Sequence, residues 1–313
     1  MQLITMPYDL NQALEFVQKK IDCILIGHRD VSLRCANYFK WNEIKQLAKN
    51  NKQTKIFVLV NQFFFEPQLQ KLEKFLKKLE TLQVDGVYFQ DYAVAEIIQD
   101  NNLKINLIYH PETLVTSYGQ FNFFQKNNIN HVVLARELFL TEIAQIAKHK
   151  PANMKIELQA QGFMFIMHSR WNMISNFENY NHIKGLAKQK QLWIKEALRK
   201  WPNAIYQDQT GTHMFSGYEL CVVSVLEKLI SYNIDYIRID NVMQTRQWCE
   251  QMTLIYQKLL NELEAKKLTA LEIEESINQI KKISSPHAIT PAFLGNIKDI
   301  YHLEKTNENE SKK

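Results

Sequence analysis

Apolar runs of four to eight residues recur along the chain, each separated from the next by a helix-length segment. They are QLIT (2–5), DCILIG (22–27), KIFVLV (55–60), GVYFQ (86–90), INLIYH (105–110), HVVLAR (131–136), KIELQAQG (155–162) and DYIRID (235–240). Near-continuous runs of this length suit strands buried on both faces, as in a parallel sheet. Between them, residues 9–19 place Leu10, Ala13, Leu14 and Val17 on one helical face. Pro67 suits a helix start, and Leu69, Leu72, Phe75, Leu76 and Leu79 follow at helical spacing. The lysines of KLEKFLKKLE fall largely on the other face and read as solvated surface. Eight strand–helix units predict an α/β fold, a (β/α)8 TIM-like barrel over residues 1–265, with a doubly wound sheet as the alternative.

The seventh unit is irregular. QGFMFIMHSRWNMISN (161–176) starts as a strand end and opens into a loop rich in methionine and aromatic residues. Residues 177–203 carry Lys184, Lys188, Lys190, Lys195, Arg199 and Lys200, and 204–215 predict a hairpin around a Thr-Gly turn. A helix at 219–232 then leads to the eighth strand, so 177–232 forms an insertion between strands seven and eight. Helices near 245–266 and 272–283 follow; residues 266–313 form a helical extension ending in a disordered tail, TNENESKK (306–313).

Composition adds little constraint. The chain is 46% hydrophobic and 23% charged over 313 residues, enough for a core without disulfides. A net charge of +5 permits contact with an anionic polymer without demanding it. Cys23, Cys35, Cys221 and Cys249 form no C-x-x-C pair and read as buried or half-buried thiols in a reducing cytosol. The N-terminus has no signal-peptide pattern, and no run reaches the ~18 apolar residues of a membrane span. A cytoplasmic protein with no membrane partner is expected.

A barrel carries its functional groups at the C-terminal ends of its strands. Those positions give the site candidates His28, Asn61, Asp91, His110, Arg136, Glu137, Arg238 and Asp240, joined by Asp208 in the insertion. Glu112 and Gln161 lie in the same ring of strand ends. His28 and His110 are conceivable metal ligands with Asp91 or Asp240, although no metal motif is present. H-E-x-x-H, G-x-S-x-G, Walker and G-x-G-x-x-G patterns are absent. His168 and Ser169 are chain neighbours with no third group indicated, so they do not make a nucleophile and base.

Several spaced blocks agree in order with one family. VVLAREL with LTEI (132–143), Gly162 with Ser175-Asn176, QDQTGTHMFSGYELC (207–221) and YIRIDNVMQT (236–245) resemble the collagenase-like peptidases, the U-thirty-two family. IGHRDVSLRCANYF (26–39) and LVNQFFFEPQL (59–69) match its early strand ends, and SSPHAITPAFLG (284–295) echoes its C-terminal segment. The resemblance implies a barrel. It also implies RNA modification: well-understood bacterial members support prephenate-dependent hydroxylation of the tRNA wobble uridine, or hydroxylation of a ribosomal RNA cytidine. Active members carry a cysteine set thought to hold an iron–sulfur cluster, for which soft anionic thiolates are suited.

The sequence departs from that set. Where members read H-G, a cysteine, then S-G-R-C, this chain has Gln161-Gly162, Phe165, and Ser169-Arg170-Trp171-Asn172. HIKGLAKQKQ (182–191) replaces a cysteine-rich segment, and K-I-E-G-R reads Arg238-Ile239-Asp240-Asn241-Val242. Cys221 survives, on the predicted helix, where it reads as packing. Met164, Met167 and Trp171 suggest apolar filling of the vacated space. The expectation is a chain with no cofactor of its own, in particular no iron–sulfur centre. It would serve as an accessory subunit beside a cysteine-bearing paralogue in tRNA wobble hydroxylation, with the 177–200 basic residues and Arg136 meeting phosphate. The alternatives are a collagenase-like peptidase and a non-catalytic ligand-binding barrel.

Overall fold

The computed structural model describes residues 1–50, 53–189, 191–197 and 201–295. Chain order begins β1 (Gln2–Thr5), α1 (Leu10–Gln18), β2 (Cys23–Gly27), α2 (Trp41–Asn50), β3 (Lys55–Val60), α3 (Glu66–Glu80), β4 (Gly86–Phe89) and α4 (Tyr92–Asp100). It continues with β5 (Leu107–Tyr109), α5 (Phe121–Lys126), β6 (Ile129–Val133), α6 (Leu140–Lys148), β7 (Lys155–Ser169), α7 (Met173–Tyr180) and β8 (Leu192–Ile194). The last elements are β9 (Asn203–Asp208), β10 (Gly211–Cys221), α8 (Leu226–Ser231), β11 (Tyr236–Ile239), α9 (Arg246–Glu264), α10 (Ala270–Ser284) and β12 (Ala288–Thr290). Strands β1 to β7 and β11 pair in parallel, and β11 pairs with both β1 and β7, which closes an eight-stranded barrel.

Alternation along each strand sorts side chains between two layers. Ile4, Cys23, Leu25, Phe57, Leu59, Tyr88, Ile108 and Val133 fill the barrel interior. Their neighbours Leu3, Ile24, Ile26, Ile56, Val58, Val87 and Val132 pack outward against the helices. That double burial is why the strands read as unbroken apolar runs. Helix starts are chemically marked: Asp9 caps α1 and Asp91 caps α4 by accepting backbone N–H groups, and Pro67 lies in the first turn of α3.

The seventh unit departs from expectation. Residues 163–169 are not a loop but the second half of β7, which leaves the barrel and pairs antiparallel with β10. β10 in turn pairs with β9, and β9 with β8. The exit is made at Gly162, whose φ of +109° and 2.3 Å clearance from its missing Cβ to the Asp240 carbonyl admit no side chain. A register shift opposite Ala160, between Arg238 and Ile239 of β11, bends the strand just before it. The hairpin turn falls on Gln209-Thr210, one residue earlier than predicted, with Gly211 paired to Asp208.

The predicted helix at 219–232 begins later. Residues 219–221 finish β10, because they pair with Gln161–Phe163 on one side, and 219–220 also pair with β12 on the other. Cys221 is therefore a buried strand residue rather than a helical one. The sixth strand is displaced toward its start, ending at Val133, so Leu134–Arg136 already belong to the loop. α10 and β12 pack on the barrel through buried Ile280 and through Ser284, which donates to Glu219 at 2.8 Å. The predicted tail, 306–313, lies outside the described residues. No helix among the described residues is long and apolar enough to cross a membrane.

Candidate functional site

Three arginines converge at the C-terminal mouth of the barrel. Arg34 arrives on the loop after β2, Arg136 on the loop after β6, and Arg238 from β11 itself. Glu112, on the loop after β5, joins the first two. Its Oε1 accepts from Arg34 Nη2 at 2.8 Å, and its Oε2 pairs with Arg136 and lies 3.5 Å from His110 Nε2. All four side chains are under one-tenth exposed. Arg34 and Glu112 both adopt left-handed backbone, φ +57° and +69°. That conformation costs about 1 kcal/mol or more for a residue with a side chain, so the buried ion pair holds both loops in place.

Arg238 is anchored below. Its Nε donates to Glu157 Oε1 at 2.8 Å, Nη1 to Asp240 Oδ2 at 2.7 Å, and Nη2 to His110 Nε2 at 3.2 Å. Glu157 also accepts from Tyr88 Oη at 2.6 Å and lies 3.0 Å from His131 Nε2. Burial opposes its ionisation, but His131, Arg238 and Tyr88 outweigh that and hold its carboxyl below the usual range. Asp240 and Glu157 hold Arg238 above its ordinary value despite burial. Burial pushes Arg34 and Arg136 downward and Asp240 acts upward on both, while Glu112 is the carboxylate paired with them. Three guanidiniums thus face Glu112, Glu157 and Asp240 in a balanced cluster.

His110 is held well below its ordinary value by burial and then by Arg238, Arg136 and Arg34, so it is neutral at pH 7. An arginine can only donate, so His110 Nε2 accepts and its proton sits on Nδ1. That Nδ1 is buried with no hydrogen-bond partner among the described residues.

Aromatic rings pack against these guanidiniums. Phe165, from the outer half of β7, lies under Arg34 with the guanidinium carbon 4.2 Å from the ring centroid, and 5.6 Å from that of Arg136. Arg136 Nη1 also donates to the Phe165 carbonyl at 3.1 Å. Phe163, Phe215 and Val242 complete the apolar wall. The cavity between these groups is about 20 Å³, room for about one water molecule. The forked donors of this cluster are committed to Glu112, Glu157 and Asp240, and it offers no activated nucleophile.

Five predicted residues meet here: Asn61, His110, Arg136, Arg238 and Asp240. Asn61 acts from behind, its Oδ1 accepting from Leu33 N at 2.8 Å and so placing the Arg34 loop. Four others do not join. His28 packs on Phe75, Asp91 is spent on the α4 cap and on Phe64 N, and Glu137 is exposed. Asp208 pairs with Thr210 and His213 in the hairpin. Nor do His28, His110, Asp91 and Asp240 assemble as metal ligands; no metal-competent His/Cys/Asp/Glu group exists among the described residues. Arg34, Glu157 and the platform role of Phe165 escaped the strand-end reading. A strand-end rule stops before Arg34, seven residues past β2, and Glu157 points into the barrel from mid-strand.

The residues do not fit an iron–sulfur cluster. Phe165 stands at the first expected ligand position and Asn172 at another, just before α7. The four thiols sit on separate elements, and burial raises the pKa of each, that of Cys221 to about 11 and Cys249 to about 12. Trp171, expected to fill the vacated space, is instead 74% exposed. Lys184, Lys188 and Lys195 are exposed on the insertion, whereas Lys190, Arg199 and Lys200 lie outside the described residues.

Relatives match most of the chain in sequence. The chain is 27% identical to tRNA hydroxylation protein P2 of Bacillus subtilis, over 90% of this chain and 94% of the relative. It is 23% identical to tRNA hydroxylation protein P1 of the same organism, over 88% of this chain and 66% of that longer protein. The solved U32 peptidase Mk0906 is 12% identical with a TM-score of 0.44, over 52% of this chain and 70% of that one. Residues 8–304 match the profile of Peptidase family U32, and the chain belongs to that family.

Proposed function

We propose that this chain is an accessory component of prephenate-dependent 5-hydroxylation of the tRNA wobble uridine, working beside a cysteine-bearing paralogue and carrying no iron–sulfur centre itself. The observation that carries the reading is the pair of relatives in one bacterium, both named for tRNA hydroxylation: a short one spanned almost end to end and a longer one spanned by two-thirds. The site supports it in two ways. Phe165 and Asn172 stand where thiolate ligands would be needed, so redox chemistry falls to a partner. Arg34 and Arg136, tied to Glu112 against the Phe165 ring in a space of about 20 Å³, brace the mouth and leave no room for a bulky substrate, as suits an accessory chain.

Nucleoside mass spectrometry of tRNA from a deletion strain tests the reading. Loss of wobble 5-hydroxyuridine derivatives, restored by the wild-type gene, is expected. An unchanged profile in a strain also lacking any second copy, or cleavage of gelatin by the pure protein, would contradict it.

A further inference from the structure

We propose that the groove beside the barrel mouth, between the loop after β3 and the β7–β9–β10 hairpin, is a stacking site for an unpaired RNA base. The proposal rests on the tRNA reading and adds where on this chain the RNA is gripped. Phe63 and Phe65 line the groove and are 47% and 43% exposed, which is unusual for two phenylalanines so close in sequence.

Phe63 is the open end of a column of rings. His168 lies parallel to it, centroids 5.6 Å apart and planes 1° apart, and His213 lies parallel to His168 at 4.5 Å and 3°. Tyr206 continues the column at 4.8 Å, and Phe215 follows at 5.8 Å. Phe215 meets Phe165 edge-on at 6.0 Å, directly beneath Arg34 of the mouth cluster. A planar base laid on the outer face of Phe63 would extend this column by one member. Burial holds both histidines below their ordinary values, so the column is uncharged at neutral pH.

The rest of the groove matches a nucleotide better than an apolar peptide. Arg170 lies 3.9 Å above the Phe65 ring, giving a cation–π platform and a charge for phosphate. Exposed Gln68, whose Oε1 accepts from Phe65 N, and Gln209 stand at the rim, where base edges offer partners for the Gln68 amide nitrogen and for Gln209 that an apolar side chain lacks. The groove encloses about 430 Å³, within the ~300–1,000 Å³ typical of small-ligand pockets.

Fluorescence anisotropy of the purified full chain with a labelled anticodon stem-loop, against the same strand closed into a full duplex, tests the site. The stem-loop should bind more tightly. Phe63→Ala and Phe65→Ala should each weaken it about tenfold, Phe63→Trp should restore it, and Arg170→Ala should reduce the salt slope by about one. Wild-type affinity in both alanine variants would overturn the groove while leaving the tRNA reading intact. So would equal binding of stem-loop and duplex. Normal RNA binding with loss of a co-purifying protein would make the groove a protein-docking face instead. Absence of any wild-type RNA binding would overturn the site, and the nucleoside profile of the deletion strain would then decide the tRNA reading separately.

Discussion

Glu112 is the residue on which the mouth depends. It compensates two buried guanidiniums and touches neutral His110, so its loss would leave two charges unpaired in a desolvated space. Removing one partner of such a pair costs about 3–5 kcal/mol, whereas an exposed pair is worth under about 1. Glu112→Gln should therefore lower the urea-unfolding free energy by at least 2 kcal/mol on the same scale. Lys19–Glu250, a half-exposed pair, supplies the control: Glu250→Gln should change stability by under about 0.5 kcal/mol. Equal effects of the two substitutions would refute the role given to Glu112.

Residues of this kind are where sequence reading stops. His110, Arg136, Arg238 and Asp240 were legible because they lie within two or three residues of strand ends, where a barrel concentrates chemistry. Arg34 was not, because its place depends on a left-handed turn and on Asn61 holding the loop. Asp91 and His28 satisfied the same positional rule but serve helix capping and packing, which the rule cannot distinguish.

Among elements, the barrel strands were legible because burial on both faces leaves an unbroken apolar run, a signal that needs no tertiary knowledge. β7 was not. GFMFIMHS continues the apolar character past the barrel, and only the pairing of 163–169 with β10 makes it strand rather than loop. YELCVVSVLEKL fits a helical face, which predicts helix from residue 219; pairing of 219–221 with β7 and of 219–220 with β12 overrides that pattern. The change of direction at Gly162 is the joint between barrel and hairpin. Gly162→Ala forces a Cβ against the Asp240 carbonyl, 2.3 Å away, at a positive φ. It should cost about 3 kcal/mol or more in urea unfolding, with protection of β8–β10 amides lost before that of β1–β5. Uniform loss across the barrel would show that the hairpin is not a separable unit.

For the whole molecule, pH sets a direction. Burial holds His28, His110, His168, His213 and His287 below their ordinary values. Below about pH 6.5 the unfolded chain binds protons at these positions that the folded chain refuses, so stability falls as pH drops. Glu157, Asp208 and Asp235, depressed in the fold, add a further loss below about pH 4.5. Unfolding free energy should be nearly flat from pH 7 to 8 and lower at pH 5.5. His110→Gln should flatten that acid slope by up to ~1.4 kcal/mol per pH unit. Stability that rises on acidification would contradict the burial of these rings.

At this scale the chain is a U32-family barrel whose mouth holds a balanced arginine–carboxylate cluster and whose thiols, three buried and Cys35 half-buried, sit on separate elements. The proposed role in tRNA wobble hydroxylation, without a cluster of its own, is best measured in the native cell. Total tRNA from a deletion strain, and from the same strain carrying Arg34→Ala with Arg136→Ala, should be digested and its nucleosides weighed. Loss of wobble 5-hydroxyuridine derivatives is expected in both, restored by the wild-type gene. A full complement of those nucleosides in the deletion strain, with no second copy present, would contradict it.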